Sequence, residues 1–440
     1  MTTLTVIGCG YLGAVHAACM AQLGHDVLGI DVDAAKVASL SAGKPPFFEP
    51  GIPEVLSESL ATGRLSFCSD MADAKGRQVH FVCVGTPQKR NEYAADMAYV
   101  DAAVTALAPH LSPGDLVVGK STVPVGTAQR LAGVIEQHEP AAMMAWNPEF
   151  LREGFAVADT LHPDRLVYGL PVGDAGSTAK ALLDEVYATP LGQGTPLVVT
   201  DFATAELVKA AANSFLATKI SFINAMAEAE VCEASGADVT QLADAIGYDS
   251  RIGRRFLNAS LGFGGGCLPK DIRSFMARAG ELGADQALAF LREIDWINMR
   301  RRVRMVDLAR EFFGGSIVGK RIAVLGLAFN PNSDDIRDSP ALNVAVQMRL
   351  QGASVIVTDP QAVPNAQKAW PDLQYSDSAA VAAKDVDLVL LLTEWDEYRN
   401  LDPVEFGSVV AGKRILDGRN VLDPAQWRAA GWAYRALGRK

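Results

Sequence analysis

Short runs of consecutive apolar residues alternate along the first 200 positions with stretches whose apolar residues recur every three to four. Thr3–Ile7, Asp26–Ile30, His80–Val84 and Leu116–Lys120 are runs of the first kind, rich in Val, Ile and Leu and followed by turn residues; they read as buried strands. The helical stretches between them imply a parallel, doubly wound sheet. The pattern changes after Thr200. Residues 201–235 hold no Gly or Pro and predict a single helix, about 50 Å long at ~1.5 Å per residue. A helix of that length must pack along much of its surface, so it joins two domains or forms a subunit interface. Alternation resumes after Gly314-Gly315, with strands at Arg321–Leu325, Ser354–Thr358, Leu388–Thr393 and Arg414–Leu416 and a helix at Pro340–Leu350. The expected fold is α/β: two doubly wound domains, residues 1–199 and 314–440, around a helical middle, 200–313.

Composition narrows the function classes. The 440 residues carry 40 basic and 51 acidic side chains, a net charge of −11, which disfavours nucleic acid and anionic membranes as partners. An apolar share of 49% with 21% charged residues is that of a folded globular chain. Apolar runs such as Val386 to Leu392 are strand-sized, far short of the roughly 20 residues needed to span a bilayer. The first residues run into a strand with no basic region, so a cytoplasmic setting is expected. Six cysteines form no C-x-x-C pair, which argues against a disulfide framework or a metal site. All histidines fall between His16 and His162, so the later chain offers no local Cys–His pair.

The first motif is Gly8-Cys9-Gly10-Tyr11-Leu12-Gly13, set between the first strand and the first helix. There the glycines allow a tight turn and close approach of a pyrophosphate to a helix N-terminus, the arrangement of a Rossmann domain. Asp31 ends the second strand, where a carboxylate accepts from an adenosine ribose and repels a 2′-phosphate. NAD is therefore favoured over NADP. Lys36 is either a second ribose contact or a solvated helix lysine. Val84-Gly85-Thr86-Pro87 and Lys120-Ser121-Thr122-Val123-Pro124 each follow a strand at its carboxyl end, the edge where ligands lie in open sheets. Asn147 to Gly154 sets Glu149 and Glu153 four residues apart around an apolar pair, which suits either a site or a capped helix start.

Two further stretches carry chemistry. On the long helix, Lys209 and Asn213 share a face amid small and apolar neighbours, where burial draws a lysine toward base chemistry unless it snorkels to the surface. Gly262-Phe263-Gly264-Gly265-Gly266-Cys267-Leu268-Pro269-Lys270-Asp271 presents four glycines, whose N–H groups are expected to meet a phosphate or an oxyanion, and then a cysteine. A helix N-terminus and the lysine three residues on would favour the thiolate, making Cys267 the reactive thiol. The other five cysteines read as small core residues.

Taken in order, these motifs, with His162-Pro163-Asp164-Arg165 and the later segment from Gly326 through Phe329 to Pro340, resemble the UDP-glucose/GDP-mannose dehydrogenase family over nearly the whole chain. The resemblance implies two Rossmann-like domains joined by a long central helix, and oxidation of C6 of a nucleotide sugar from alcohol to carboxylate with two NAD. It assigns Cys267 as the nucleophile that carries a thiohemiacetal and then a thioester. Lys209, Asn213 and Asp271 match the polar groups at the reacting carbon, Glu149 the carboxylate assisting thioester hydrolysis, and Thr122 a residue near nicotinamide and water. Gly8, Gly10, Tyr11, Leu12, Gly13, Asp31, Lys36, Thr86, Glu153, Lys270 and Arg337 fall on cofactor-binding positions. Phe150, Leu151, Asn258, Phe263, Gly264, Phe329, Asn330 and Arg419 fall on the substrate-lining segments. Arg251 matches an arginine that reaches into a neighbouring subunit's site, which implies a homodimer at least.

Two positions depart from the family: Asn330 follows Phe329 where lysine is usual, and, more mildly, Ser333 stands where threonine is common. Loss of a cation beside a diphosphate costs on the order of 1.5–3 kcal/mol unless another group compensates. A diphosphate-linked glucose is implied by His162–Arg165 and the segment Arg251 to Gly266, with UDP or dTDP as the carrier; GDP-mannose and UDP-aminosugars are the nearer alternatives. A single-step hydroxyacid dehydrogenase also pairs a lysine with an asparagine four residues on but needs no cysteine. A non-catalytic nucleotide-sugar binder would be expected to lack Cys267 or the polar pair.

Overall fold

The computed structural model describes residues 1–228, 231, 232 and 234–439. Contacts divide the chain into two compact units, Met1–Ala212 with Arg273–Gly283, and Asn213–Ile272 with Ala284–Lys440.

Within the first unit eight strands are described: β1 (Thr3–Ile7), β2 (Asp26–Ile30), β3 (Leu65–Cys68), β4 (Val79–Val82), β5 (Leu116–Gly119), β6 (Met143–Trp146), β7 (Leu166–Gly169) and β8 (Leu197–Thr200). They form one sheet in the order β3-β2-β1-β4-β5-β6-β7-β8, parallel except where β6 meets β7. Leu4 and Val6 of β1 are buried in one apolar cluster and Ile7 in another, so helices cover both faces. That is why the strands read as unbroken apolar runs rather than alternating ones. The second unit repeats the plan with β9 (Arg321–Leu325), β10 (Ser354–Thr358), β11 (Gln374–Tyr375), β12 (Leu388–Leu391), β13 (Arg414–Asp417) and β14 (Ala433–Ala436). Their order is β11-β10-β9-β12-β13-β14, all parallel.

β1, β2, β9, β10 and the helix Pro340–Leu350 lie at their expected bounds. β4 and β12 end earlier than expected, because Cys83 and Leu392 already belong to the ligand-side loops. The long helix runs from Phe202 to Met226, 25 residues. Past it the backbone tightens, the Glu228 N–H bonding to Ala225 O three residues back. Of the expected continuation to Ser235, residues 229, 230 and 233 lie outside the described residues. No described helix is long and apolar enough to cross a membrane.

Candidate active site

The glycine turn is built by close contact. At Gly8 (φ +87°) a Cβ would stand 2.6 Å from Val84 Cγ1, and at Gly13 one would stand 1.9 Å from Gly8 O. At Gly10 there is open space. The turn is thus packed against its own sheet on one side and free on the other, the cradle a pyrophosphate requires. Asp31 is buried; its Oδ2 accepts the Cys9 N–H at 2.8 Å and pairs with Lys36 Nζ at 2.8 Å. Lys36 is therefore the partner of Asp31 rather than a solvated helix lysine. Tyr11 Oη donates to Glu49, whose two oxygens also accept the N–H groups of Gly154 and Ala156 at 2.7 Å each. Burial pushes both the Tyr11 phenol and the Glu49 carboxyl up. Leu12 packs on the core of the sheet, and Glu153 is half-buried.

Thr86 Oγ1 donates to Thr122 O at 2.8 Å, linking the two loops at the strand ends. The loop after Thr122 is clamped further on: Glu206 accepts the N–H groups of Gly126 and Ala128 at 2.7 and 2.6 Å, and Arg278 donates to Val125 O. Glu149 Oε1 accepts the N–H groups of Phe150 and Leu151 at 2.7 and 3.1 Å, and its Oε2 lies 3.1 Å from Lys120 Nζ. The Phe150 ring sits between cations: Arg165 stacks 3.8 Å from its centroid and Lys209 Nζ lies 5.5 Å away. Lys209 is 8% exposed, with no ion pair or hydrogen bond to its ammonium among the described residues. A buried cation with unused donors is ready to meet an oxyanion.

In the second unit Asn213 Nδ2 donates to Asp271 Oδ2 at 2.6 Å, and Lys270 Nζ bonds Asp271 Oδ1 at 2.6 Å. Lys270 thus places its charge on the carboxylate next to it in the chain. Cys267 precedes the helix Leu268–Glu281, its carbonyl accepting the Asp271 N–H at 2.9 Å, and it is the exposed thiol of the six. Cys9, Cys19, Cys83 and Cys232 are buried and Cys68 is half-buried. Burial pushes the Cys19 and Cys83 thiols up to about 12.

The glycine run before Cys267 is held in part by its own unit. The N–H groups of Phe263 and Gly265 are already bonded, to Asn298 Oδ1 at 2.7 Å and Arg337 O at 2.9 Å. What the glycines provide there is room. A Cβ on Gly264 would stand 2.5 Å from Asp338 O, and one on Gly266 would stand 2.4 Å from the Arg337 guanidinium. Arg337 itself forks onto Asp335.

Beside this run lies a cavity of about 500 Å³ lined by Asn258, Phe263, Gly264, Phe329, Asn330 and Arg419, all named from sequence, and by Arg254, Glu394 and Arg399, which were not. Arg419 donates to the carbonyls of Leu392 and Phe329 and lies 3.1 Å from Glu394. Arg251 stays outside this cavity, its side chain 87% exposed and paired with Asp249.

Comparison with known sequences decides the family. Three of its domain descriptions match in order: the NAD binding domain over residues 2–190, the central domain over 203–300 and the UDP binding domain over 323–424. The chain belongs to the UDP-glucose/GDP-mannose dehydrogenase family. It is 39% identical to a UDP-glucose 6-dehydrogenase of Rhizobium meliloti, over 99% of each chain. Among solved structures, a UDP-glucose dehydrogenase of Pyrobaculum islandicum is 37% identical with a TM-score of 0.90, covering 100% of this chain and 98% of that one. A UDP-D-ManNAc dehydrogenase of Pyrococcus horikoshii is 26% identical with a TM-score of 0.86, covering 99% of each.

This dehydrogenase is an NAD-dependent oxidoreductase acting on a nucleotide sugar. The match through the UDP binding domain removes the single-step hydroxyacid dehydrogenase reading, which has no such domain. NAD fits the residues present: an open cradle at Gly10 and, at Asp31, a carboxylate where a 2′-phosphate would be repelled. Sequence reading missed Glu49, Glu206, Asn298 and the Lys120–Glu149 pair. Each acts on backbone or on a partner far away in the chain, and no local spacing marks it.

Proposed function

We propose that the protein oxidises UDP-glucose to UDP-glucuronate, a four-electron oxidation at C6. The observation that carries this is Cys267, an exposed thiol at the start of a helix whose first turn joins Asp271 to Asn213. The curated relatives named UDP-glucose 6-dehydrogenase, matched over their full length, support glucose as the sugar. Two NAD, bound one after the other, would each accept one hydride.

In the proposed sequence the C6 alcohol loses a hydride and a proton to give an aldehyde. Cys267 Sγ adds to the aldehyde carbon, and the oxygen takes up a proton to give a thiohemiacetal. Loss of a second hydride and proton leaves a thioester. Water then attacks, the C–S bond breaks, and the thiolate and the carboxylate are released. Lys209 and Asn213 hold the successive oxyanions, Asp271 takes protons through water, and Glu149, with Thr122, assists hydrolysis. Gly8, Gly10, Tyr11, Leu12, Gly13, Asp31, Lys36, Thr86, Glu153, Lys270 and Arg337 hold the cofactor. Phe150, Leu151, Asn258, Phe263, Gly264, Phe329, Asn330 and Arg419 hold the nucleotide sugar. The reading divides the chain into a cofactor domain (1–199), a central domain (200–313) and a sugar-nucleotide domain (314–440), and includes a cytoplasmic homodimer with Arg251 acting across it.

Asn330 favours a second reading, dTDP-glucose. Against it, Arg254, Arg399 and Arg419 line the same cavity, so positive charge for a diphosphate is present without the usual lysine. The test is NADH formed per sugar nucleotide consumed, with both substrates in parallel. Two NADH per UDP-glucose, and none beyond the first oxidation from Cys267→Ser, is the expected result. One NADH with aldehyde accumulating overturns the thioester route, and a faster reaction with dTDP-glucose overturns the choice of UDP.

A further inference from the structure

Lys120 follows β5, which ends at Gly119, one residue short of its expected bound, and the lysine side chain is only 4% exposed. Its ammonium has three acceptors for three donors: Asn147 Oδ1 at 2.9 Å, Tyr187 Oη at 3.2 Å and Glu149 Oε2 at 3.1 Å. The acceptors are themselves fixed. Tyr187 Oη donates to Asn147 Oδ1 at 2.6 Å, and Asn147 Nδ2 donates to Val167 O at 3.0 Å. The rings of Phe81 and Tyr187 stand 5.9 and 5.7 Å from the ammonium. So enclosed, a lysine would ordinarily give up its proton; burial opposes the charge, yet Glu149 holds it well above the usual lysine range. The other titratable groups that face the pair in this unit are His16, Cys19, Cys83 and Tyr187. Burial favours the neutral form of each of them, and the cation paired with Glu149 among the described residues is Lys120.

We propose that Lys120 is a positioning residue for thioester hydrolysis: its buried, fully satisfied ammonium pairs with the partly exposed Glu149 carboxylate and keeps it aimed. The proposal rests on the reading of Glu149 as the group that assists hydrolysis. With Oε1 on two backbone N–H groups and Oε2 on Lys120, Glu149 is held in one orientation. It can accept from a water molecule and take its proton for the length of the step, and the ammonium returns it to the anion. Removing Lys120 takes the paired cation from this partly buried carboxylate, and losing a nearby opposite charge favours the protonated form, which cannot serve as the acceptor.

The experiment is the pH profile of kcat with UDP-glucose and saturating NAD for wild type and Lys120→Met. The acid limb of the variant is expected to move up by about one pH unit or more, a deficit that grows roughly tenfold per unit below the new limb, with KM for UDP-glucose changing less than about threefold. A uniform loss at every pH, or a limb that does not move, overturns the proposal, since either is what a loosened fold gives. Should Lys120→Met fail to fold, Lys120→Met/Glu149→Gln removes both charges together. It is expected to recover most of the lost thermal stability, as replaced buried pairs do, and no recovery overturns the pairing. A wild type that makes no NADH from UDP-glucose sinks the functional reading first, before any variant is compared.

Discussion

His16 shows what burial does to a single ionisable group in this protein. It is 1% exposed on the helix after the glycine turn, edge-on to Phe81 at 4.5 Å, and neither ring nitrogen has a hydrogen-bond partner among the described residues. Burial, with the charge of Lys120 adding to it, holds its pKa well below the ordinary histidine value. The folded state therefore refuses a proton that the unfolded chain binds below pH ~6.5, so stability is intact above that pH and falls as pH drops toward the folded pKa. At one proton per molecule the loss amounts to at most about 1.4 kcal/mol per pH unit. Urea midpoints at pH 7.5 and 5.0 for wild type and His16→Leu check this. The variant is expected to lose less over that interval by up to that amount, and equal losses would place the acid sensitivity elsewhere. Nothing in the sequence around His16 announces its state, because its neighbours Phe81 and Lys120 come from other strands.

At the scale of elements the sequence says most where a segment's own residues decide its structure. β1, β2, β9 and β10 are short apolar runs closed by turns, and their bounds follow from that alone. β11, two residues long, and the edge strands β3, β8 and β14 are different, since the neighbour they pair with defines them. The segment before Cys267 lies between these cases: its glycines are visible in sequence, but their purpose is not. The backbones of Asp338 and the side chains of Phe329 and Arg337 press on them, and Asn298, with both amide atoms bonded to Phe263, fixes the path. Gly264→Ala is expected to cost about 1–3 kcal/mol by overpacking against Asp338 O and to raise KM for the nucleotide sugar, since Gly264 lines its cavity. Gly280→Ala is the control. It sits within the helix Leu268–Glu281 with nothing within 4 Å of the added carbon, and should gain about 0.5–1 kcal/mol without a change in KM. Chemical denaturation and initial rates on the two variants separate close packing from helix propensity, and a Gly264→Ala protein as stable as wild type would contradict the packing argument.

For the whole molecule, the open matter is whether one chain completes its own site. Arg251 is 87% exposed and, among the described residues, is held by its neighbour Asp249, an unusual place for a substrate-binding group within a single subunit. Two helices of the second unit also present apolar side chains to solvent: Phe215 and Phe222 on one, and Trp296, Met299 and Val303, spaced to share a face, on the other. Exposed apolar stripes of that kind are what a two-fold partner would cover. If Arg251 serves the partner's site in the proposed homodimer, Arg251→Ala and Cys267→Ser each fail to sustain the full four-electron turnover for different reasons, and each supplies what the other lacks. A mixed dimer then holds one complete site, built from the cysteine of the Arg251→Ala chain and the arginine of the Cys267→Ser chain. Random reassortment of equal amounts makes half the dimers mixed, so activity should return to about a quarter of wild type. If Arg251 instead serves its own chain, a mixed dimer has no complete site and the mixture does not regain full turnover. Mixing after mild dissociation, with NADH formation followed over time, tells the two apart, and the sequence motif alone cannot, because a residue's number says nothing about which copy of the chain it serves.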